Sequence, residues 1–108
     1  MSNGFKDREK SYEAKYAHDQ ETTFKIMARR NKLLGLWAAE KMGLSGTEAA
    51  EYAKEVIKAD FSEPGEEDVF RKIQEDFAGK GVDQSEHQIR RTMEELTMEA
   101  AEQIKNES

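Results

Sequence analysis

The 108-residue sequence contains no cysteine, a single proline and no long apolar run. The absence of cysteine excludes disulfide bonds and thiolate chemistry, which is typical of proteins from a reducing compartment. The longest apolar run, residues 33–39, is interrupted by Gly35 and is far shorter than the ~20 residues that span a bilayer. The N-terminal residues lack the apolar segment of a secretory signal. We therefore expect a cytoplasmic protein without direct membrane insertion.

Charge is abundant but unevenly distributed along the chain. Lys and Arg number 17 and Asp and Glu 23, giving a net charge of −6, which argues against a nucleic-acid partner. Residues 1–32 hold eight basic and five acidic residues, whereas residues 33–108 hold nine and eighteen. A basic N-terminal third on an acidic body indicates a segment with a role of its own.

The segment from Phe24 to Met42 is the one long stretch that is apolar around most of its circumference. At about 100° per residue, its apolar side chains fall in two adjacent rows, with Phe24 and Met42 beside them. These rows contain Ile26, Leu33 and Trp37, and Met27, Leu34 and Ala38. A helix this broadly apolar needs several neighbours. We predict that it is the central helix of a bundle and that it ends at Met42, with Gly43 as a left-handed cap.

Three further helices follow from cap signals and from apolar spacing. Ser45–Glu48 has the capping-box spacing, residues 60–65 form a break around the single proline, and Asp83–Glu86 is a second cap signal after the Gly79–Gly81 stop. The inward faces are Ala49, Tyr52, Ala53, Val56 and Ile57; Val69, Phe70, Ile73 and Phe77; and Ile89, Met93, Leu96, Ala100 and Ile104. The sequence predicts an all-α four-helix bundle, residues 20–108, with an extended, partly mobile N-terminal helical arm, residues 1–19.

The arm carries one narrow aromatic line on an otherwise charged segment. Phe5, Tyr12 and Tyr16 are spaced i, i+7 and i+11 and share one helical face. The line could pack back onto the bundle. However, so little apolar area binds weakly within one chain, and aromatic anchors rimmed by charges are typical of a helix that inserts into a partner. We expect the arm to be frayed when the protein is alone and helical when bound.

Catalysis and metal binding find little support in the sequence. The two histidines, His18 and His87, are far apart and match no metal-ligand spacing, and the many carboxylates occupy helix caps and solvated faces. No nucleophile, base and orienting group can be named. We expect a protein that is not an enzyme, with no metal and no required cofactor.

A line of cations on the central helix has two interpretations. Lys25, Arg29 and Lys32, with Arg30 at their edge, could be the solvated face of an amphipathic helix. Alternatively, several cations within two turns could hold polyanionic phosphates or an acidic partner. The spacing alone does not choose between them.

Three segments resemble a known family: FKDREKSYEAKYAHD, ARRNKLLGLWAA and DFSEPGEEDVFRK. In order and spacing they are similar to the zeta subunit of the alpha-proteobacterial F-type ATP synthase, over nearly the whole chain. The resemblance implies a four-helix bundle, peripheral to the membrane-bound synthase, that inhibits ATP hydrolysis by the catalytic head. It also implies that the N-terminal segment is the inhibitory element, which enters a catalytic interface and blocks reverse rotation.

On this chain the resemblance places the partner contacts in the arm, at Phe5, Lys6, Arg8, Glu9, Tyr12, Lys15 and Tyr16. It further implies ADP or ATP as a regulatory ligand of the bundle, for which the candidates are Arg29, Arg30, Lys32 and Trp37, with Arg71 and Lys72 behind them. Two alternatives stay open. One is a nucleotide-sensing helical domain that regulates a different partner; the other, favoured less, is an interfacial membrane helix formed by the basic arm.

Overall fold

The chain folds into four α-helices joined by short connections. The computed structural model describes residues 2–60 and 66–107, with side chains described from residue 20 onward. Within these ranges the helices are α1 (Ser2–Lys41), α2 (Gly46–Ala59), α3 (Glu67–Lys80) and α4 (Glu86–Glu107), and no strand is present. The predicted all-α, four-helix fold is confirmed. No break in α1 marks residue 19, and the division into arm and bundle stays a prediction.

The helices are arranged around α1. It packs along α2 and α4, and α3 closes the bundle by contacting both of these helices. Within the described ranges α2 and α4 do not contact each other, so they lie on a diagonal of the bundle. The core consists mainly of Leu34, Ala38, Ala39, Tyr52, Val56, Val69, Phe70, Ile73, Phe77, Ile89 and Met93. These residues confirm the predicted inward faces of α2, α3 and α4.

Both predicted glycine stops are confirmed. The first helix ends at Lys41, one residue before the predicted end, and Gly43 follows with φ 81°. Leu44 N–H then donates to the Ala39 carbonyl at 2.8 Å, which satisfies one of the unpaired carbonyls of the last turn. Gly81, with φ 70°, ends α3 in the same way.

The start of α2 differs from the predicted capping box. Ser45 does occupy the N-cap position, but its side chain makes no cap hydrogen bond. The reason lies in Gly46, which enters the helix with φ 58°. With the first helical residue in the left-handed region, the amides of the first turn do not follow the regular helical path on which a capping box depends. The predicted break at residues 60–65 falls mostly outside the described residues.

The capping box of α4 is shifted by two residues from the predicted one. Ser85 Oγ accepts from Gln88 N–H at 3.1 Å, and Gln88 Oε1 accepts from Ser85 N–H at 2.8 Å. The pair is therefore Ser85 and Gln88 rather than Asp83 and Glu86. A glutamine three residues after the cap serves as well as a glutamate.

The crossing of α1 and α2 depends on a glycine. A β-carbon added at Gly35 would lie 2.6 Å from the Ala53 Cα. Because no side chain stands there, the two helix backbones approach closely, and Ala38 and Ala39 are fully buried in the next turn of α1. In the part of the chain that is described, no helix is long and apolar enough to cross a membrane.

Candidate functional site

A cleft of about 820 Å³ lies beside the stretch of α1 between Thr22 and Lys32, where the last turns of α2 and α4 approach this helix. Its apolar lining is supplied by Phe24, Ile26, Ala28, Ile57, Ala101 and Ile104. Its charged lining is Lys25, Arg29, Lys32, Lys105 and Glu107. Four cations and one carboxylate thus surround an apolar floor, on a protein with a net charge of −6. We call this feature the cleft.

Arg29 ties the two long helices together at the cleft. Its guanidinium donates to Gln103 Oε1 at 2.7 Å and lies 2.7 Å from Glu107 Oε1. The Arg29 side chain is 27% exposed; its bond to Gln103 is partly shielded from water, whereas its bond to Glu107 is exposed. Two side chains of α4, Gln103 and Glu107, already accept hydrogen bonds from the guanidinium. Arg29 therefore holds the cleft wall in place and has fewer N–H donors left for a ligand.

The two lysines of the basic line, Lys25 and Lys32, face solvent. Lys25 is 58% exposed and lies 3.7 Å from Glu21, a spacing at which a surface ion pair contributes little. Lys32 is exposed and has no ion-pair partner among the described residues. All three predicted members of the basic line face the cleft: Lys25, Arg29 and Lys32.

Arg30 does not belong to this surface, and its placement at the edge of the basic line was wrong. The side chain is 1% exposed and donates through Nη1 to Glu66 Oε1 at 2.7 Å and through Nε to Asn31 Oδ1 at 2.9 Å. Arg30 thus clamps α1 to the start of α3. The signal was available: Arg30 lies three residues after Met27 and four before Leu34, which puts it on the inward face.

The other three nucleotide candidates lie elsewhere. Trp37 packs edge-on against Phe77, with ring centroids 5.5 Å apart, as part of the core. Arg71 is exposed and pairs with Asp68 on its own helix, and Lys72 lies 3.1 Å from Asp76. None of the three lines the cleft. Of the six candidates, the structure brings together Arg29 and Lys32, and it adds Lys25 and Lys105.

A polar network between α2 and α3 escaped the sequence analysis. Tyr52 donates its hydroxyl to Asp76 Oδ2 at 2.6 Å, and Lys72 Nζ lies 5.1 Å from the centre of the same ring. Burial raises the pKa of Tyr52, and so do the hydrogen bond to Asp76 and the negative charges of Asp76 and Glu55. The network locks the two helices together and leaves the tyrosine in its neutral form.

Metal-binding groups are not assembled in the described residues. No three of their His, Asp and Glu side chains are placed to hold a metal ion, and His87 is exposed on α4. His18 and the seven arm candidates belong to the backbone of α1, but their side chains lie outside the described residues. The partner-binding role of the arm therefore stays a prediction.

Comparison with known proteins decides the family. The model of the ATPase inhibitor subunit zeta family matches residues 1–103. The chain belongs to this family. A family of inhibitor subunits agrees with the expectation of a protein that is not an enzyme, and it implies the ATP synthase as the partner. Because the zeta match begins at residue 1, the arm is part of the sequence that the family shares.

One solved structure supports the zeta-family fold. A protein whose structure was determined by NMR in solution is 50% identical to this chain, with a TM-score of 0.70. The similarity covers 79% of this chain and 96% of that protein. A search of curated proteins finds no significant match.

Proposed function

We propose that this protein inhibits ATP hydrolysis by inserting residues 1–19, as a helix, into a catalytic interface of the head of the F-type ATP synthase. The observation that carries the proposal is the continuity of α1. One helix, Ser2–Lys41, contains both the arm that the family shares and the most central part of the bundle core. An arm that is held in the head is therefore connected to the folded bundle by one continuous helix.

The burial pattern along α1 supports a separate role for the arm. Gln20–Lys25, the first residues of α1 whose side chains are described, are mostly exposed, and the first buried side chain among those described is that of Arg30. The first buried apolar side chain among them is that of Leu34. Among the described side chains, the bundle therefore uses those before Ile26 for no more than peripheral contacts, which supports an arm that serves a partner without loss of the fold.

Inhibition by such a helix follows from the working of a rotary enzyme. Its catalytic interfaces must open and close, and a helix anchored in one of them prevents that motion. The aromatic line of Phe5, Tyr12 and Tyr16 supplies anchors that offset the ordering entropy of the arm. The charges of Lys6, Arg8, Glu9 and Lys15 would form the rim of the contact.

The test is hydrolysis of ATP by purified synthase, titrated with the full-length protein and with a variant that lacks residues 1–19. Inhibition by the first and not by the second supports the proposal. Far-UV circular dichroism and thermal unfolding of the truncated variant provide the control, because the buried apolar side chains among the described residues lie between Leu34 and Ala100. Equal inhibition by a folded truncated variant would contradict the proposal.

A second candidate function is the binding of ADP or ATP as a regulatory ligand, and the cleft is the observation that favours it. Lys25, Arg29, Lys32 and Lys105 line it together. Titration of the labelled protein with ADP and ATP, followed by NMR, tests this function. Saturable shifts confined to cleft residues support it. Saturable binding without any effect on the synthase would favour the alternative, a nucleotide-sensing domain that regulates a different partner.

A further inference from the structure

The cleft combines two properties that a solvated helix face does not need. Its floor is apolar, and Phe24 on its wall is 59% exposed. Its rim is basic, although the protein as a whole is acidic. Exposed apolar surface rimmed by charge of one sign is typical of a site that another molecule covers.

The cleft is also fixed in position relative to the arm. Seven side chains of α1 between Thr22 and Lys32 line it, and the predicted arm ends at residue 19 of the same helix. At ~1.5 Å rise per residue, Lys25 lies about 9 Å along the axis from that end. A partner that holds the arm in the proposed way therefore lies close to the cleft as well.

The rim cations are arranged for an extended ligand. Lys25, Arg29 and Lys32 follow the spacing i, i+4 and i+7 and extend along ~10 Å of α1. A helix with two carboxylates seven residues apart presents one negative charge opposite each of the exposed Lys25 and Lys32 and covers the floor with its apolar face. A polyphosphate fits less well, because its charge is concentrated and Arg29 is already bonded to Gln103 and Glu107.

The helix ends around the cleft act in the same direction. Ile57 belongs to the last turns of α2, and Ile104 and Glu107 belong to the last turns of α4. The negative ends of two helix dipoles thus point toward this region. Because the effect of a dipole falls off within the last turn, they oppose a polyphosphate bound among the helix ends more than carboxylates that lie along the exposed face of α1.

We propose that the cleft is a second contact with the head of the ATP synthase and that it takes an acidic, amphipathic helical segment of a head subunit. The proposal rests on the proposed inhibitory function and deepens it. The arm blocks the catalytic interface, and the cleft increases the lifetime of the complex. Nucleotide that enters the cleft would compete with this contact and weaken inhibition.

The test compares two charge-reversal variants of the full chain in the hydrolysis assay. In K25E/K32E two exposed cleft cations are reversed, whereas in the matched control K41E/K54E two exposed lysines that do not line the cleft are reversed. We expect half-maximal inhibition by K25E/K32E to need at least ~10-fold more protein than inhibition by the wild type or the control. We also expect rising salt to weaken the wild type more than K25E/K32E.

The outcomes separate this proposal from the one on which it rests. If the wild type does not inhibit, the inhibitory function itself fails. If the wild type inhibits and K25E/K32E inhibits equally well, the cleft contact is overturned. If K25E/K32E retains inhibition but loses the binding of ATP measured by calorimetry, the cleft is a nucleotide site only and the contact is again overturned. Circular dichroism and thermal unfolding confirm that both variants are folded.

Discussion

Two parts of α1, Gln20–Arg29 and Arg30–Ala39, belong to one helix but lie in different surroundings. From Arg30 to Ala39 six of the ten side chains or glycine positions are buried. From Gln20 to Arg29 none is buried. Both parts are rich in residues that favour helix, so local propensity does not distinguish them. The difference comes from tertiary packing: α2 and α4 cover the later part, whereas only their ends reach the earlier one. One element can therefore be a core helix at one end and a binding surface at the other.

The largest contrast is expected from removing apolar side chains in the two parts. Leu34 is fully buried, so Leu34→Ala leaves a cavity and should lower the free energy of unfolding by about 2–5 kcal/mol. Phe24→Ala should lower it by less than about 1 kcal/mol, because that side chain is mostly exposed. Urea unfolding measures both. Leu36→Ala, at a leucine that is 38% exposed and two residues from Leu34, is the control for the loss of leucine itself.

The next largest difference in stability is expected between the ion pairs of two adjacent arginines, Arg30 and Arg29. Glu66→Ala leaves the buried Arg30 without its carboxylate and should lower the free energy of unfolding by about 1.5–3 kcal/mol. Glu66 makes no side-chain cap bond, so no cap is lost. Glu107→Ala removes the carboxylate of the more exposed Arg29 and should cost less than about 1 kcal/mol. If chemical denaturation shows that both variants lose the same free energy of unfolding, burial does not determine how much each ion pair contributes to stability.

Glycine substitutions should change stability in opposite directions. Gly35→Ala forces α1 and α2 apart at Ala53 and should destabilise the protein by about 1–3 kcal/mol. Gly79→Ala, near the end of α3, has open space around the new methyl group and should stabilise by about 0.5–1 kcal/mol through helix propensity. Thermal unfolding midpoints measure both signs. A stabilising Gly35→Ala would show that the α1–α2 crossing is looser than described.

The smallest expected effect concerns pH. The raised pKa of Tyr52 keeps this residue protonated in the folded protein at pH values where an unfolded tyrosine, with its ordinary pKa of 10.0, ionises. The unfolded state therefore binds fewer protons above pH 10, and stability falls as the pH rises through that range. Tyr52→Phe should lose about 1 kcal/mol at neutral pH, with the difference from wild type shrinking above pH 10. Urea unfolding between pH 7 and 11 measures it. A constant difference would contradict the assignment.

Periodicity and glycine placement predicted most of the fold. The inward faces of three helices and the stops at Gly43 and Gly81 depend on local spacing and on left-handed glycine, and both are visible in a sequence. Details that depend on backbone entry angles were not predictable in this way. The left-handed Gly46 that disables the Ser45 cap is an example.

The candidate site was predicted only in part. Three cations of the cleft lie on one helix and could be grouped by spacing, whereas Lys105 and Ile104 come from the far end of the chain. Only the antiparallel packing of α1 against α4, held by Arg29 and Gln103, brings them together. The charge of Arg30 predicts a surface position, but its spacing from Met27 and Leu34 places it on the apolar face, where Glu66 and Asn31 accept its hydrogen bonds.

The most direct test of the central claim, that the arm inhibits and the bundle supports it, keeps the chain at full length. The three aromatic residues of the arm are replaced in one variant, Phe5→Ala/Tyr12→Ala/Tyr16→Ala, and inhibition of ATP hydrolysis by purified synthase is titrated beside Phe24→Ala and the wild type. We predict that inhibition is lost in the triple variant, while its thermal unfolding midpoint stays that of the wild type. Full inhibition by a folded triple variant would contradict the account.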